Sequence, residues 1–241
     1  MTGKLFVGTS GYSYKEWKPE FYPADLKNDA MLSYYAERLP SVEINNTFYR
    51  EPSQKAIDGW AEKTPESFAF AIKAPQKITH IARLRGVDEV LERVLATLKG
   101  LGPRLGVVLF QCPPSLKYDT DTLDNFLALL PGGDMPNAIR AAMEFRHASW
   151  DTDEVREKLA KNGVAWCVSD TDEHDATLHR TANEFTYLRL RKIVYEDAAY
   201  DTWTEKIKGV LDDGSDVYVY FKHEDTASGA IYAMRLKERL G

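Results

Sequence analysis

The chain repeats one pattern eight times: a short apolar run ends in a polar group and is followed, in most cases, by a segment with helical spacing. Short apolar runs that alternate with helices indicate parallel strands joined by right-handed crossovers. Eight such units in 241 residues predict a compact (β/α)8 TIM-type barrel, a single α/β domain over residues 1–241. The runs are LFVGT (5–9), VEINN (42–46), FAFAIK (68–73), GVVLFQ (106–111), AAMEFR (141–146), VAWCVSD (164–170), TYLRLR (186–191) and DVYVYFK (216–222).

Helical spacing and capping residues place helices between most of these strands. The expected segments are 28–38 with Asn28 as cap, 53–62 with Ser53 as cap, 87–99, 119–130, 152–163 with Thr152 as cap and Asn162-Gly163 as its end, 202–211 and 228–240. The stretch TDEHDATLHRTANEF (171–185) lacks this spacing. The sixth helix is therefore expected to be weak or short.

Composition narrows the class of protein. A net charge of −6 argues against nonspecific coating of nucleic acid, although it leaves room for a local basic pocket. Cys112 and Cys167 lie inside apolar runs, which favours buried free thiols in a reducing compartment. The N-terminus has no signal-peptide pattern, and no apolar stretch is long enough to span a bilayer. We expect a cytoplasmic protein with no membrane partner.

Charged and amide side chains gather at the C-terminal ends of the strands, where barrels of this type carry their sites. On a strand, Glu144 and Arg146 share one face, as do Arg189 and Arg191. A charge on an apolar strand is costly unless it is paired or meets a ligand. The pattern predicts a polar cavity at the barrel mouth. The alternative is a lattice of structural ion pairs that closes the barrel top.

The first strand runs into a loop rich in aromatic residues, GTSGYSYKEWKPEFYP (8–23). Ser10 and Gly11 permit close approach of the backbone to a ligand. Tyr12 and Trp17 are the preferred candidates for stacking on a sugar or a base. The alternative is that these aromatic side chains only pack the loop over the barrel.

Glu43 and Glu144 can serve as the acid and base of a hydrolase, with Lys73 and Arg146 beside them. If the two cations pair with the carboxylates, each carboxylate stays ionised and is a poor general acid. We assign these four residues to the catalytic set. The ligand-binding set is Ser10, Tyr12, Trp17, Asn45, Gln111, Asp170, Arg189, Arg191 and Lys222.

A metal centre is not expected, because its ligands must converge from several strands. His147 and His223 fall on the faces opposite Glu144 and Lys222. The chain has no P-loop, no GxGxxG after a strand and no HExxH. Ser10 does not fit a nucleophile elbow, because the second glycine follows it directly. We expect neither a metal nor a cofactor.

Five segments resemble the YecE-like family, domain of unknown function 72. They are VGTSGYSYKEWKPEFYP (7–23), VEINNTFYREPS (42–53), FAFAIKAPQKITH (68–80), LGPRLGVVLFQCPPSL (101–116) and EFRHASW (144–150). The resemblance implies a TIM-type barrel of uncharacterised function with a polar pocket drawn from these segments. It also implies a structural likeness to the endonuclease IV and xylose-isomerase barrels.

Two segments depart from the family pattern. Many members carry Arg-x-His-Gly on the seventh strand, where this chain has YLRLRKIVY (187–195), and many carry Phe-Asn-Asn on the eighth, where it has FKHED (221–225). The roles of the usual His and Asn therefore cannot be carried over. Arg189 matches the position of the pattern's Arg.

The leading hypothesis is a metal-independent barrel that binds a phosphate- or carboxylate-bearing ligand at its mouth and hydrolyses a phosphoester or glycosidic bond. Lys73, Arg146, Arg189, Arg191 and Lys222 would supply the positive charge, and Asn45, Gln111 and Asp170 would orient the ligand. One alternative is a non-catalytic binding module for a nucleic acid fragment or a metabolite. Another is a metal-dependent nuclease like endonuclease IV.

Overall fold

The computed structural model describes residues 2–131, 139–173, 176–182 and 184–241, and its eight strands form a closed parallel barrel. The strands are β1 (Leu5–Ser10), β2 (Ser41–Ile44), β3 (Ala69–Lys73), β4 (Leu105–Gln111), β5 (Arg140–Glu144), β6 (Ala165–Asp170), β7 (Phe185–Leu190) and β8 (Asp216–Phe221). Each strand pairs with its neighbour in chain order, and β1 pairs with β8 to close the ring. The predicted (β/α)8 barrel is confirmed.

Seven α-helices lie in the described part of the chain. They are α1 (Met31–Ala36), α2 (Gln54–Glu62), α3 (Asp88–Leu98), α4 (Thr120–Ala128), α5 (Asp153–Lys161), α6 (Asp197–Asp212) and α7 (Ser228–Leu240). Ser53 caps α2 and Thr152 caps α5, each accepting a backbone N–H bond of 3.3 Å. The expectation for Asn28 is wrong, because this residue lies inside a short 3-10 turn, Asn28–Ala30, and α1 begins at Met31.

The sixth connection differs from the others, as the sequence pattern indicates. Between β6 and β7 the described residues 171–173, 176–182 and 184 contain no helix; residues 174, 175 and 183 lie outside the described residues. Thr181 holds this connection against β6, since its hydroxyl donates to the carbonyl of Val164 and accepts from the N–H of Trp166, both at 2.7 Å. The hydroxyl of Thr181 thus fixes this connection to β6 without a helix in its described residues.

Alternation along the strands separates two cores. Outward-facing side chains pack against the helices, whereas inward-facing ones fill the lumen. The lumen holds small residues of β3 and β5, such as Ala71 and Ala142, opposite the tyrosines of β7 and β8, such as Tyr187 and Tyr220. Above this layer the same faces carry the polar side chains of the mouth. Both cysteines are free and buried, as expected.

No helix in the described residues is long and apolar enough to cross a membrane.

Candidate functional site

A buried arginine occupies the centre of the C-terminal mouth. Arg189 on β7 donates from Nη1 to Glu144 Oε2 at 2.6 Å and from Nη2 to Glu43 Oε1 at 2.8 Å. Its side chain is 2 % exposed. The guanidinium group therefore links β7 to β2 and β5 across the lumen. The guanidinium and both carboxylates are buried together.

Glu43 is held by four donors. Its Oε1 accepts from Arg189, from Ser10 Oγ at 2.7 Å and from Asn45 Nδ2 at 3.0 Å, and its Oε2 accepts from Tyr187 OH at 2.7 Å. Burial raises the pKa of this carboxyl, but the charge of Arg189 and these hydrogen bonds outweigh burial and hold the pKa below its usual value. Glu43 is ionised at neutral pH.

Glu144 is held in the same way from the other side of the lumen. Gln111 Nε2 donates to Oε2 at 2.8 Å, Arg146 Nε donates to Oε1 at 3.0 Å, and Arg191 Nη1 lies 3.7 Å from Oε1. Burial raises its pKa, and the charges of Arg189, Arg146 and Arg191 outweigh that effect, so the pKa lies well below its usual range.

The cluster carries more positive than negative charge. Four cations, Arg146, Arg189, Arg191 and Lys73, face the two carboxylates Glu43 and Glu144, a surplus of two in the described part of the chain. Arg189 is enclosed, whereas the side chains of Arg146 and Arg191 are 34 % and 18 % exposed. The surplus therefore lies on the side chains nearest to solvent.

Lys73 forms no ion pair with a carboxylate among the described residues. Its Nζ lies 4.1 Å from the centre of the Phe48 ring. Burial and the charge of Arg189 lower the pKa of this ammonium to about 8, although Glu43 and Glu144 act in the opposite direction. The site thus contains an amine that loses its proton close to neutral pH.

The sequence pattern predicts Asp170 in this site, but the structure places it on the outer face of the barrel. Its Oδ1 accepts from the backbone of Arg191 at 2.8 Å and from Tyr195 OH at 2.7 Å, and its Oδ2 accepts from Trp203 Nε1 at 3.2 Å. Alternation along β6 turns Cys167 into the lumen and Asp170 toward α6. Asp170 anchors the loop after β7 and does not reach the cluster.

Two aromatic candidates also lie away from the cluster. Trp17 is fully buried, and its Nε1 donates to the carbonyl of His223 at 3.1 Å. Tyr12 packs beside Tyr35 in the outer core, with 6.2 Å between ring centres. Both side chains pack in the outer core, as the packing alternative predicts.

Tyr14, in the same loop, packs against the end of β1. Its hydroxyl donates to the carbonyl of Ser10 at 3.0 Å. Its side chain lies so close to Gly11 that a Cβ there would clash with it, and the φ of 90° at Gly11 is one that favours glycine. Burial and nearby acidic groups raise the pKa of Tyr14 to about 12. The sequence predicts that Ser10 and Gly11 permit close approach of a ligand, and in the structure the Tyr14 side chain lies against Gly11.

Lys222 stands apart from the carboxylates of the cluster. Its Nζ lies 3.6 Å from Glu224 Oε1 near the end of β8, and both side chains are exposed. It does not join the pairs formed by Arg189.

His80 is a neighbour of the cluster that does not belong to the predicted site residues. It lies on the turn Lys77–Ile81, with its ring edge against Phe48 at 4.7 Å between centres and its Nδ1 2.9 Å from Thr79 Oγ1. Burial and the charges of Lys73 and Arg146 lower its pKa. Among the described residues, no group of three or more His, Cys, Asp and Glu side chains is arranged to hold a metal ion.

A cavity of about 840 Å³ opens at the opposite, N-terminal end of the barrel. One charged pair in its wall is satisfied internally, because Arg140 Nη1 donates to Asp216 Oδ2 at 2.7 Å and to Tyr218 OH at 2.8 Å. In barrels of this type the N-terminal end serves stability and the C-terminal end serves function. The chemistry of the mouth therefore identifies the site better than cavity size does.

Curated relatives share sequence with part of the chain. UPF0759 protein YecE of Escherichia coli strain K12 is 27% identical over 161 residues, which cover 66% of this chain and 55% of YecE. UPF0759 protein YunF of Bacillus subtilis strain 168 is 29% identical over 154 residues, which cover 61% of this chain and 52% of YunF. The matched region thus spans about half the length of these relatives.

Solved structures match the whole fold. The crystal structure of a DUF72 family protein from Thermotoga maritima MSB8 superposes with a TM-score of 0.84 at 27% identity and covers 98% of this chain and 99% of that chain. A DUF72 family protein from Enterococcus faecalis V583, at 16% identity, shares the fold with a TM-score of 0.76 over 99% of this chain and 98% of its own. The family model described as "Protein of unknown function DUF72" matches residues 6–241. This chain belongs to the DUF72 family.

Proposed function

We propose that the barrel mouth binds the phosphate or carboxylate group of a small metabolite, and that Arg146, Arg191 and Lys73 contact it. The observation that carries the proposal is the surplus of positive charge around two carboxylates that are already paired. A structural lattice needs no such excess, since each added cation repels the others. A bound anion would balance the surplus.

The cations already show this repulsion. Burial and the neighbouring charge of Arg189 lower the pKa of Arg191, with Arg146 acting in the same direction. Lys73 is affected by Arg189 and Arg146 in the same way. Oriented donors in a site partly shielded from water attract anions strongly, so binding would relieve a cost that the free protein bears.

Hydrogen-bonding capacity supports the same ligand class. Arg146 uses its Nε on Glu144, and within the described residues its two terminal NH2 groups have no acceptor. Arg191 Nη1 lies 3.7 Å from Glu144, beyond hydrogen-bond distance. The Nε–H of Arg189 also has no acceptor in the described part of the chain. Guanidinium forks match the geometry of phosphate and carboxylate oxygens.

Glu43 and Glu144 serve this site as counter-ions that fix Arg189. A general acid must hold a proton near neutral pH, whereas both carboxyl groups have a lowered pKa. The carboxylate oxygens of each also accept hydrogen bonds from protein donors. The geometry therefore favours a binding site over hydrolysis by this pair of glutamates.

Calorimetric titration with inorganic phosphate and pyrophosphate at low salt tests the proposal. We expect Arg146→Met and Arg191→Met each to weaken binding about tenfold or more, since a hydrogen bond to a charged group contributes roughly 1.5–3 kcal/mol. Arg50→Met is the matched control. Arg50 is exposed in the loop after β2, so this substitution removes the same charge outside the cluster. An equal loss in all three variants, or no binding by the native protein, would contradict the proposal.

A nucleic acid fragment with a terminal phosphate offers the same group to the site. Titration with a 5′-phosphorylated oligonucleotide and its unphosphorylated copy tells the two sources apart. For a small-molecule site we expect phosphate and pyrophosphate to bind without help from the oligonucleotide chain.

A further inference from the structure

We propose that Lys73 forms an imine with its ligand, so that the site takes an anion that also carries a carbonyl group, either a 2-oxo acid or a phosphorylated aldehyde or ketone. The inference rests on the proposed anion site, which would place the charged end of the ligand on Arg146 and Arg191. It adds a chemical step and a narrower ligand class to that site.

The position of Lys73 suits a nucleophile. It ends β3 on the lumen face, above Ala71, so that a small residue and not a bulky one lies beneath its side chain. Its ammonium lies over the Phe48 ring, 4.1 Å from the centre, which gives it an apolar neighbour. A lysine kept for structure would pair with one of the two carboxylates of the mouth, but both are held by arginines instead.

The charges around Lys73 keep part of the amine neutral. Burial and the charge of Arg189 lower its pKa to about 8. At pH 7 the neutral fraction is then on the order of a hundredfold larger than for an ordinary lysine. Lysines beside other cations and an apolar surface are activated for attack on carbonyl carbon in this way.

His80 is placed to carry protons for the step. Its ring and the Lys73 ammonium both contact Phe48, and the charge of Lys73 contributes to the lowered pKa of His80. The imidazole is therefore neutral at pH 7, with one ring nitrogen close to Thr79 Oγ1 and the other available. A neutral imidazole can take a proton from one group and return it to another.

The step balances without an oxidant or reductant. The Nζ lone pair attacks the carbonyl carbon, a C–N bond forms, and the C=O π pair moves to oxygen. His80 takes one proton from the nitrogen and gives it to this oxygen, which produces a neutral carbinolamine. The nitrogen lone pair then forms the C=N bond as the C–O bond breaks, and His80 transfers the second nitrogen proton to the departing hydroxyl, which leaves as water. The products are the imine of Lys73 and one molecule of water.

Reductive trapping on the full chain tests the proposal. The protein is incubated with pyruvate or dihydroxyacetone phosphate and sodium cyanoborohydride, and the modified lysine is located by peptide mass spectrometry. We expect labelling of Lys73 at least tenfold faster than of any other lysine, with a pH midpoint near 8. Lys73→Arg keeps the charge and should abolish labelling at this position. Lys77→Arg, at an exposed position of the turn that follows β3, should leave the labelling of Lys73 unchanged.

Acetone and phosphate separate this inference from the anion site. Acetone lacks the charge and should label Lys73 poorly, and added phosphate should slow labelling by pyruvate. Labelling spread evenly over surface lysines would overturn the imine and leave phosphate binding intact. Lys73 labelling that acetone matches and that phosphate does not slow would overturn the anion site and, with it, the ligand class.

Discussion

Glu144→Gln separates two effects of this carboxylate: it stabilises the buried cluster, and it offsets part of the positive charge available to an anion. In the native protein Glu144 pairs with Arg189 and Arg146 and accepts a bond from Gln111, all within a buried cluster. The amide keeps the volume but removes the charge, which raises the positive surplus of the mouth from two to three. We expect stability to fall and affinity for phosphate to rise in the same variant.

The size of the stability loss follows from burial. Removing one partner of a buried ion pair costs about 3–5 kcal/mol. In a chain of this size, 1 kcal/mol shifts the melting temperature by roughly 2–4 °C, so the expected drop is on the order of 10 °C. Glu51→Gln is the matched control, since Glu51 pairs with Arg93 at the surface at 2.9 Å, where such pairs contribute about 1 kcal/mol or less.

Measuring stability at low pH adds a second test of the role of Glu144. Because the folded-state pKa of Glu144 lies below its usual value, its contribution is complete above the unfolded pKa, about 4.3, and is lost as pH falls toward the folded value. The gap in unfolding free energy between native protein and Glu144→Gln should therefore be constant from pH 7 to about 5 and shrink below about 4. Urea unfolding at several pH values measures this gap. A variant as stable as the native protein, with weakened phosphate binding, would refute the reasoning and return Glu144 to the ligand.

Three further substitutions test the neighbouring groups. Arg189→Lys should cost several kcal/mol in urea unfolding, because an ammonium cannot hold two carboxylates as a fork does; a loss below about 1 kcal/mol would contradict this. Lys73→Met should raise the melting temperature at pH 7, because it removes a buried charge. The native protein should gain stability between about pH 8 and 10.4, where its unfolded chain binds more protons than its folded form, and the variant should lack this gain. An unchanged pH profile would count against the lowered pKa of Lys73. Asp170→Asn should lower stability by about 1–3 kcal/mol, because an amide NH2 cannot accept from Trp203 Nε1, and titration should show unchanged phosphate binding.

Period-two alternation accounts for what could be predicted about the site. Sequence spacing predicts that Glu144 shares a face with Arg146 and that Arg189 shares a face with Arg191, and the structure brings all four side chains to one cluster. The barrel itself was predictable because eight strand runs alternate with helical spacing, which few other folds accommodate. Local periodicity is sufficient for these features because each depends on residues close together in the chain.

The structure differs from the expected placement where a residue's face on its strand decides its surroundings, or where a contact joins distant parts of the chain. Asp170 ends β6 as Glu144 ends β5, yet it occupies the outward face and meets α6. Trp17 is buried and donates a hydrogen bond to the carbonyl of His223, which lies 206 residues later in the chain. Such a contact leaves no trace in local spacing. The central role of Arg189, as the shared partner of two carboxylates from β2 and β5, needed the closed ring to become visible.

A crystal structure of the protein soaked with tungstate measures the central claim most directly, since the anion mimics phosphate and its anomalous signal locates it without ambiguity. We expect a peak at the C-terminal mouth, with oxygens within hydrogen-bond distance of Arg146 and Arg191 and close to Lys73. Peaks confined to helix N-termini on the outer surface, with an unoccupied mouth at saturating tungstate, would contradict the account.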